Sequence, residues 1–168
     1  MTRRSKREIE RALEDLDKHS ADADDYTPAV KEKYSDEVVE VIYRVARDVL
    51  RLSHRNADRM GINPSTAERT SAFLEGVREQ YEITDDRDDA VLAGLDKAAA
   101  TVDSRHWGPI DSFQTAVVSV PGEMDLATDG GDTLPDLVMV GDETAAEQLL
   151  VQQTYEMLAE WGQEASTR

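Results

Sequence analysis

The chain contains no cysteine, which excludes disulfide bonds, thiolate zinc sites and a cysteine nucleophile. It also lacks an apolar run near the ~20 residues that a membrane-spanning helix requires. The N-terminal stretch MTRRSKREIE is polar throughout and does not contain the apolar core of a signal peptide. We therefore expect a soluble protein that stays inside the cell or particle in which it is made.

Basic residues are scarce and unevenly placed. The 168 residues include 36 acidic and 19 basic side chains, for a formal net charge of −17. Residues 1–105 contain 24 acidic and 18 basic residues, whereas residues 106–167 contain 12 acidic residues and neither lysine nor arginine. An acidic, aspartate-rich composition with more arginine than lysine is typical of halophile proteins, because salt screens repulsion between carboxylates. We expect a salt-rich setting and two surfaces of unlike charge.

The apolar pattern predicts a mainly helical fold. A chain of 168 residues suits one domain. We expect an N-terminal helix and linker over residues 1–26, followed by one helical domain over residues 27–168. Apolar residues that recur at helical spacing predict a bundle of four to five helices in this domain.

The longest apolar stripe predicts a helix from Thr27 to about Met60, with a break near Ser35. Its members are Tyr34, Val38, Val41, Ile42, Val45, Val49 and Leu52. Two further stripes predict the next helices, one with Phe73, Leu74, Val77 and Tyr81, the other with Val91, Leu95, Ala98 and Val102. Asp142 is expected to cap a last helix from about Glu143 to Gly162.

Two short segments predict a β-hairpin. Residues 113–120, FQTAVVSV, are rich in β-branched and aromatic residues, and residues 137–140, LVMV, form a second apolar run. Turn-forming residues lie between them. We therefore expect a hairpin inserted at residues 113–140, with a long acidic loop between its two strands.

The acidic loop partly matches a calcium-binding template. Asp125, Asp129, Gly130 and Asp136 fall at positions 1, 5, 6 and 12 of the twelve-residue loop. Position 3 is Ala127, however, and the predicted flanks are strands rather than helices. We interpret the loop as a solvated acidic turn and expect no metal there.

No group of residues indicates catalysis. The three histidines match no metal-ligand spacing, no glycine-rich phosphate loop occurs, and carboxylates are too abundant to single out an acid–base pair. We therefore expect neither an enzyme nor a cofactor. An enzyme that uses carboxylate chemistry is kept as a third functional alternative, after the two described below, and no residues can be named for it.

Arginines form a stripe on the longest predicted helix, opposite its apolar face. Arg44, Arg47, Arg51 and Arg55 recur at spacings of three, four and four. Three interpretations stay open: a solvated face with weak ion pairs, a protein interface, or a site for nucleic-acid phosphates. DNA-binding domains are usually net basic, so we favour the first two.

A second basic cluster lies near the N-terminus, and it accompanies a narrow apolar stripe. The basic residues are Arg3, Arg4, Lys6, Arg7 and Arg11, and the apolar residues are Ile9, Leu13 and Leu16. The cluster is interpreted either as an arm that contacts nucleic acid or a partner, or as a helix end balanced by Glu8 and Glu10.

The order of segments over residues 85–160 carries a family resemblance. An acid-capped, alanine-rich helix (DDRDDAVLAGLDKAAATVDS) precedes a polar passage (RHWGPIDSF), a predicted strand (TAVVSV), an LPDLVMVGD element and a closing helix (TAAEQLLVQQTYEMLAEW). This order resembles the head–tail connector (adaptor) proteins of tailed double-stranded DNA viruses. Residues 1–80 lie outside the resemblance.

The resemblance implies a structural virion protein at the head–tail junction, assembled in the host cytoplasm. It implies a ring, commonly of twelve copies, that binds the portal and offers a platform to the downstream tail or stopper protein. DNA passes through the lumen without sequence-specific contact, and no membrane is involved. The alternative is a small nucleic-acid-associated or regulatory helical protein that uses the arginine stripe.

The residues expected at interfaces combine the arginine stripe with aromatic side chains, because arginine and aromatic residues are enriched in binding hot spots. They are Arg44, Arg47, Arg51, Arg55, Trp107, Tyr155 and Trp161.

Overall fold

The computed structural model describes residues 27–60, 67–101 and 109–167 of the protein, with side chains described over 29–52, 70–96 and 113–167. Helices dominate these residues, so the mainly helical prediction is confirmed. The described residues form seven helices rather than the expected four to five, because the first stripe is divided near Ser35 and two helices take the place of the expected hairpin. The helices are α1 (Thr27–Lys33), α2 (Asp36–Met60), α3 (Ala67–Gln80), α4 (Asp88–Thr101), α5 (Pro109–Glu123), α6 (Leu134–Met139) and α7 (Glu143–Ser166). The predicted N-terminal helix and linker lie outside the described residues.

The predicted break near Ser35 is confirmed, because α1 ends at Lys33 and α2 begins at Asp36. The apolar stripe of this region faces inward as its spacing predicts. Its buried members are Val38, Val41, Ile42, Val45, Val49 and Leu52, and Tyr34 is partly buried. Asp36 and Glu37 in the first turn of α2 suit the positive end of the helix dipole.

The first predicted strand is wrong, because residues 113–120 lie inside helix α5. The buried side chains of this segment are Phe113, Ala116, Val117 and Val120, which recur at spacings of three, one and three. That is the spacing of a helix face, so burial of this face outweighs the strand preference of the β-branched residues. Pro121 lies inside the last turn of the helix.

The second predicted strand is also wrong, since residues 137–139 belong to the short helix α6 and Val140 caps it. Thr133 is its N-cap and forms a capping box with Asp136, and Pro135 lies in the first turn. Within the described residues the β structure is one isolated bridge, Ala127 to Thr133, so the predicted hairpin over 113–140 is not formed.

The core is one cluster of buried side chains to which α1–α7 contribute. Helix α7 packs along α4, while α5 packs against α1, α2 and α4. An edge-to-face contact of Phe73 on α3 with Phe113 on α5, at 5.6 Å between ring centroids, joins α3 to α5. None of the helices in the described ranges has both the length and the apolar character that crossing a bilayer requires.

Helices α4 and α7 touch through their backbones. A Cβ atom placed on Gly94 would overlap the carbonyl oxygen of Leu158 and lie 2.8 Å from its carbonyl carbon. A Cβ atom on Gly162 would overlap the carbonyl oxygen of Ala90. The two glycines therefore allow a closer approach of these helices than any larger residue permits.

Candidate assembly surfaces

Tyr155, expected at an interface, lies in the core and is fully buried. Its hydroxyl donates a hydrogen bond to Oδ1 of Asp88 at 2.6 Å, and Arg78 Nη2 donates to Oδ2 at 3.0 Å. Burial, followed by the bond to Asp88, raises the pKa of Tyr155 well above its usual range. These three residues join the start of α4, the end of α3 and the middle of α7, so the role of Tyr155 in this fold is structural.

Arg44, the first member of the arginine stripe, is paired within the chain. Its guanidinium lies 3.3 Å from Glu143 and 3.3 Å from Glu147, both in the N-terminal part of α7. The ion pair Arg44–Asp48 that helical spacing suggests is replaced by this contact between distant segments. Arg44 therefore fixes α2 against the N-terminal part of α7.

The next two arginines of the stripe remain on the outside. Arg47 is exposed and makes no ion pair with any described residue. Arg51 pairs with Asp48 at 3.2 Å, but its side chain is still 60% exposed. We call Arg47 and Arg51 the basic surface.

A row of carboxylates runs along the outer side of α7. Glu156, Glu160 and Glu164 are exposed and recur every four residues, so they lie on one helix face. We call these three residues the acidic stripe. Arg87 lies near Glu156 and Glu160, but its guanidinium is already bonded to Asp85 at 2.7 Å, a bond that lowers the pKa of the Asp85 carboxyl.

The exposed large apolar side chains among the described residues all lie between α5 and α7. Met139 is 79% exposed and Val140 is 75% exposed, with Met124 at 39%. We call Met139 and Val140 the apolar tip. Gly141 follows it with a positive φ of 76°, a left-handed conformation that glycine adopts without strain, and Asp142 then caps α7.

The capping box that begins α6 gives the segment before the tip a defined conformation. The Thr133 hydroxyl and backbone N–H both donate to Oδ2 of Asp136, at 2.6 and 3.0 Å. These bonds, the hydroxyl first, lower the pKa of the Asp136 carboxyl. Asp136 therefore ties residue 133 to the first turn of α6.

The capping box predicts a pH dependence of this loop. Because the folded pKa of Asp136 is lowered, its contribution to stability is present above the unfolded pKa of about 3.9 and is lost as pH falls through the lowered value. In Thr133→Ala we expect the pKa of Asp136 to rise toward about 3.9. Carboxyl chemical shifts followed by NMR during an acid titration measure this change. Unchanged titration of Asp136 in Thr133→Ala would contradict the assignment.

Of the remaining predicted interface residues, one lies in the described part of the chain with its side chain. Trp161 is partly buried and packs against the core. Trp107 and the side chain of Arg55 lie outside the described residues. Sequence reasoning did not select the apolar tip or the acidic stripe as contacts. The four-residue spacing of three glutamates on a predicted helix indicates one helix face, so the acidic stripe could have been predicted. The apolar tip was not selected because residues 137–140 were predicted to form a strand.

In the described part of the chain, no three acidic or histidine side chains gather in a way that could hold a metal ion. Comparisons of the chain with family models, with curated proteins and with solved structures find no match.

Proposed function

We propose that this protein is a structural assembly protein of the head–tail connector class, forming a ring between the portal and the tail of a tailed double-stranded DNA virus. A ring requires heterologous contacts, in which one face of a copy meets a different face of the next. The observation that carries the proposal is the pair of exposed, oppositely charged faces on one helical body. These faces are the basic surface of α2 and the acidic stripe of α7.

The two faces match in spacing as well as in charge. Arg47 and Arg51 are four residues apart, as are Glu156 and Glu160, and four helical residues rise by about 6 Å. Helices α2 and α7 of neighbouring copies can therefore form two ion pairs at once. Each exposed pair contributes only ~0.2–1 kcal/mol, so these pairs set orientation and partner choice more than affinity.

The two faces do not pair with each other within one chain, since among the described residues neither Arg47 nor Arg51 forms an ion pair with Glu156 or Glu160. Arg44 holds α2 against the first turns of α7, whereas the acidic stripe begins nine residues beyond Glu147. Nine residues of α-helix rise by about 14 Å. A face that is not paired with its complement on the same chain is available to the complement on another chain, which favours contact between chains.

The remaining parts of the proposal follow from the family resemblance and the charge distribution. The ring would bind the portal on one side and the downstream tail or stopper protein on the other. Residues 106–167 contain no lysine or arginine, so a lumen lined by this part of the chain repels DNA phosphates. Such a lumen suits DNA that passes without sequence-specific contact.

Charge reversal of one face tests the proposal. In the double variant Arg47→Glu, Arg51→Glu we expect self-association to weaken about ten-fold or more, because two attractive pairs become repulsive. Glu156→Arg, Glu160→Arg should weaken it similarly. Combining all four substitutions in one chain should restore association, since the pairs are re-formed with reversed polarity. Sedimentation velocity over a concentration series at about 0.2 M salt measures the effect, because higher salt screens it.

A matched control is available on α3. Glu75 and Glu79 are exposed and four residues apart, so Glu75→Arg, Glu79→Arg produces the same change in net charge at a different place. We expect this control not to reproduce the loss of association. A chain that stays monomeric at all concentrations, also with portal protein present, would contradict the connector proposal. If the variant with all four substitutions on α2 and α7 does not regain self-association, the pairing of these two faces is contradicted.

The exposed guanidiniums of the basic surface favour one second candidate, a nucleic-acid-associated regulatory protein. Salt-dependent DNA binding, measured by fluorescence anisotropy, separates the two candidates. Loss of DNA binding in Arg47→Glu, Arg51→Glu with an unchanged oligomeric state would support the regulator. The net charge of −17 weighs against it, because DNA-binding domains are usually net basic.

A further inference from the structure

The apolar tip is exposed in acidic surroundings. Met139 and Val140 are adjacent in sequence and nearly fully exposed, and Met124 lies at the other end of the same segment. Residues 124–143 contain no lysine or arginine, and Asp129, Asp132 and Asp142 of this segment are exposed. The exposed Asp125 and Glu143 pair with Lys33 and Arg44. An occupant of this surface must therefore combine apolar side chains with several positive charges.

One segment of this chain has that combination. Residues 3–16 contain five basic residues within nine positions, and Ile9, Leu13 and Leu16 recur at spacings of four and three. We propose that residues 3–16 bind over the apolar tip of their own chain, with the apolar residues against Met139 and Val140 and the basic residues toward the surrounding carboxylates. The proposal goes beyond the ring and does not depend on it.

Helix α1 contacts the start of segment 124–143 and the end of α5. Lys33 Nζ donates to the carbonyl oxygen of Met124 at 3.0 Å and pairs with Asp125 at 2.8 Å. Ala29 and Val30 lie against Gly122, at the end of α5. The chain that precedes Thr27 therefore joins the folded body beside the start of the segment that carries the tip.

The connection from Leu16 to Thr27 has a reach comparable to the diameter of a small domain. The residues between Leu16 and Thr27 can extend over about 30 Å, at ~3.3 Å per residue. A segment tethered over such a distance has an effective concentration in the millimolar range. Binding to the same chain therefore prevails over binding to another copy at ordinary protein concentrations.

Cross-linking tests this proposal directly, because the chain has no cysteine and introduced thiols react alone. In full-length Leu13→Cys, Val140→Cys treated with a short bismaleimide, we expect an intramolecular product that migrates as a monomer. The control is Leu13→Cys, Gln163→Cys, whose second site is exposed among acidic residues but lies about 30 Å along α7 from Glu143. Its cross-linking yield should be several-fold lower.

A further variant tests the role of charge. Arg7→Glu and Arg11→Glu are added to the variant Leu13→Cys, Val140→Cys. We expect the cross-linking yield to fall about five-fold, because two attractive contacts become repulsive. Val140 is on the outside, so its replacement leaves the fold intact, which circular dichroism verifies. Equal yields at positions 140 and 163, no product at all, or a product formed only between two chains would each overturn the proposal. Charge reversal on α2 and α7 should leave the cross-linking yield between positions 13 and 140 unchanged. The proposed binding of residues 3–16 and the proposed ring can therefore fail independently of each other.

Discussion

Gly162→Ala is expected to lower the free energy of unfolding by about 3 kcal/mol or more. A Cβ atom at this position would overlap the carbonyl oxygen of Ala90 and lie 2.9 Å from the backbone nitrogen of Gly94. Backbone atoms of a packed helix cannot move aside as a flexible side chain can. The substitution therefore forces α4 and α7 apart and opens the contacts between them.

The sign of this effect is as informative as its size. Helix propensity alone predicts that alanine in place of a mid-helix glycine stabilises the chain by ~0.5–1 kcal/mol. The contact between α4 and α7 predicts the opposite sign. Urea denaturation followed by circular dichroism measures the difference.

A second glycine provides the control for this prediction. Gly130 is exposed, and a Cβ atom there would have Thr128 Oγ1 as its neighbour at 3.6 Å, an ordinary contact. Gly130→Ala should therefore change the free energy of unfolding by less than ~0.5 kcal/mol. A stabilising effect of Gly162→Ala, equal to that of an unhindered helix position, would show that the backbones are not in contact.

Asp88→Ala is expected to lower the free energy of unfolding by about 2–3 kcal/mol. The substitution leaves the buried hydroxyl of Tyr155 without its acceptor and the partly buried guanidinium of Arg78 without its counter-ion. It also removes a negative charge from the first turn of α4. The side chains of Arg78 and Asp88 are about one quarter exposed, which places the expected loss below that of a fully buried pair.

A double-mutant cycle distinguishes this network from a general loss of helix capping. Tyr155→Phe removes the hydroxyl alone and should cost about 1 kcal/mol. In Asp88→Ala the same change should cost much less, because the hydrogen bond is already absent, giving a coupling energy of at least ~0.5 kcal/mol. Additive effects of the two substitutions would contradict the bond between Tyr155 and Asp88.

Periodicity predicted those helices whose apolar residues all face one core. Val38, Val45 and Val49 on α2 and Val91 and Leu95 on α4 are buried as their spacing indicates. The break near Ser35 and the cap at Asp142 were also predictable, since each depends on a few neighbouring residues. Signals of this kind act over one or two helical turns, so they do not depend on contacts with distant parts of the chain.

The failure at residues 113–120 has a specific cause. Val117, Val118 and Val120 favour a strand locally, yet Phe113, Ala116, Val117 and Val120 form a complete helical stripe in the same eight residues. Both patterns were present in the sequence. The choice between them came from Phe73, about forty residues away, and from the other side chains that pack on α5.

The candidate surfaces were predictable only in part. The charge asymmetry indicated two unlike halves of the chain. Spacing alone could not show which arginines of the stripe pair within the chain and which remain exposed. Arg44 turned out to pair with Glu147, about one hundred residues away, while Arg47 remained outside. Tyr155 lay with Asp88 in the core although its residue type favoured an interface.

By itself the sequence determined the charge of this protein, the helical segments with one clear apolar face and the absence of thiol chemistry. Tertiary structure alone decided that the valine-rich segment is a helix, that Gly94 and Gly162 allow two backbones to touch, and that Met139 and Val140 remain exposed. The physical reason is the range of the interactions. Helix periodicity and capping act between neighbours in the chain, whereas burial, ion pairing and backbone contact depend on segments that only folding brings together.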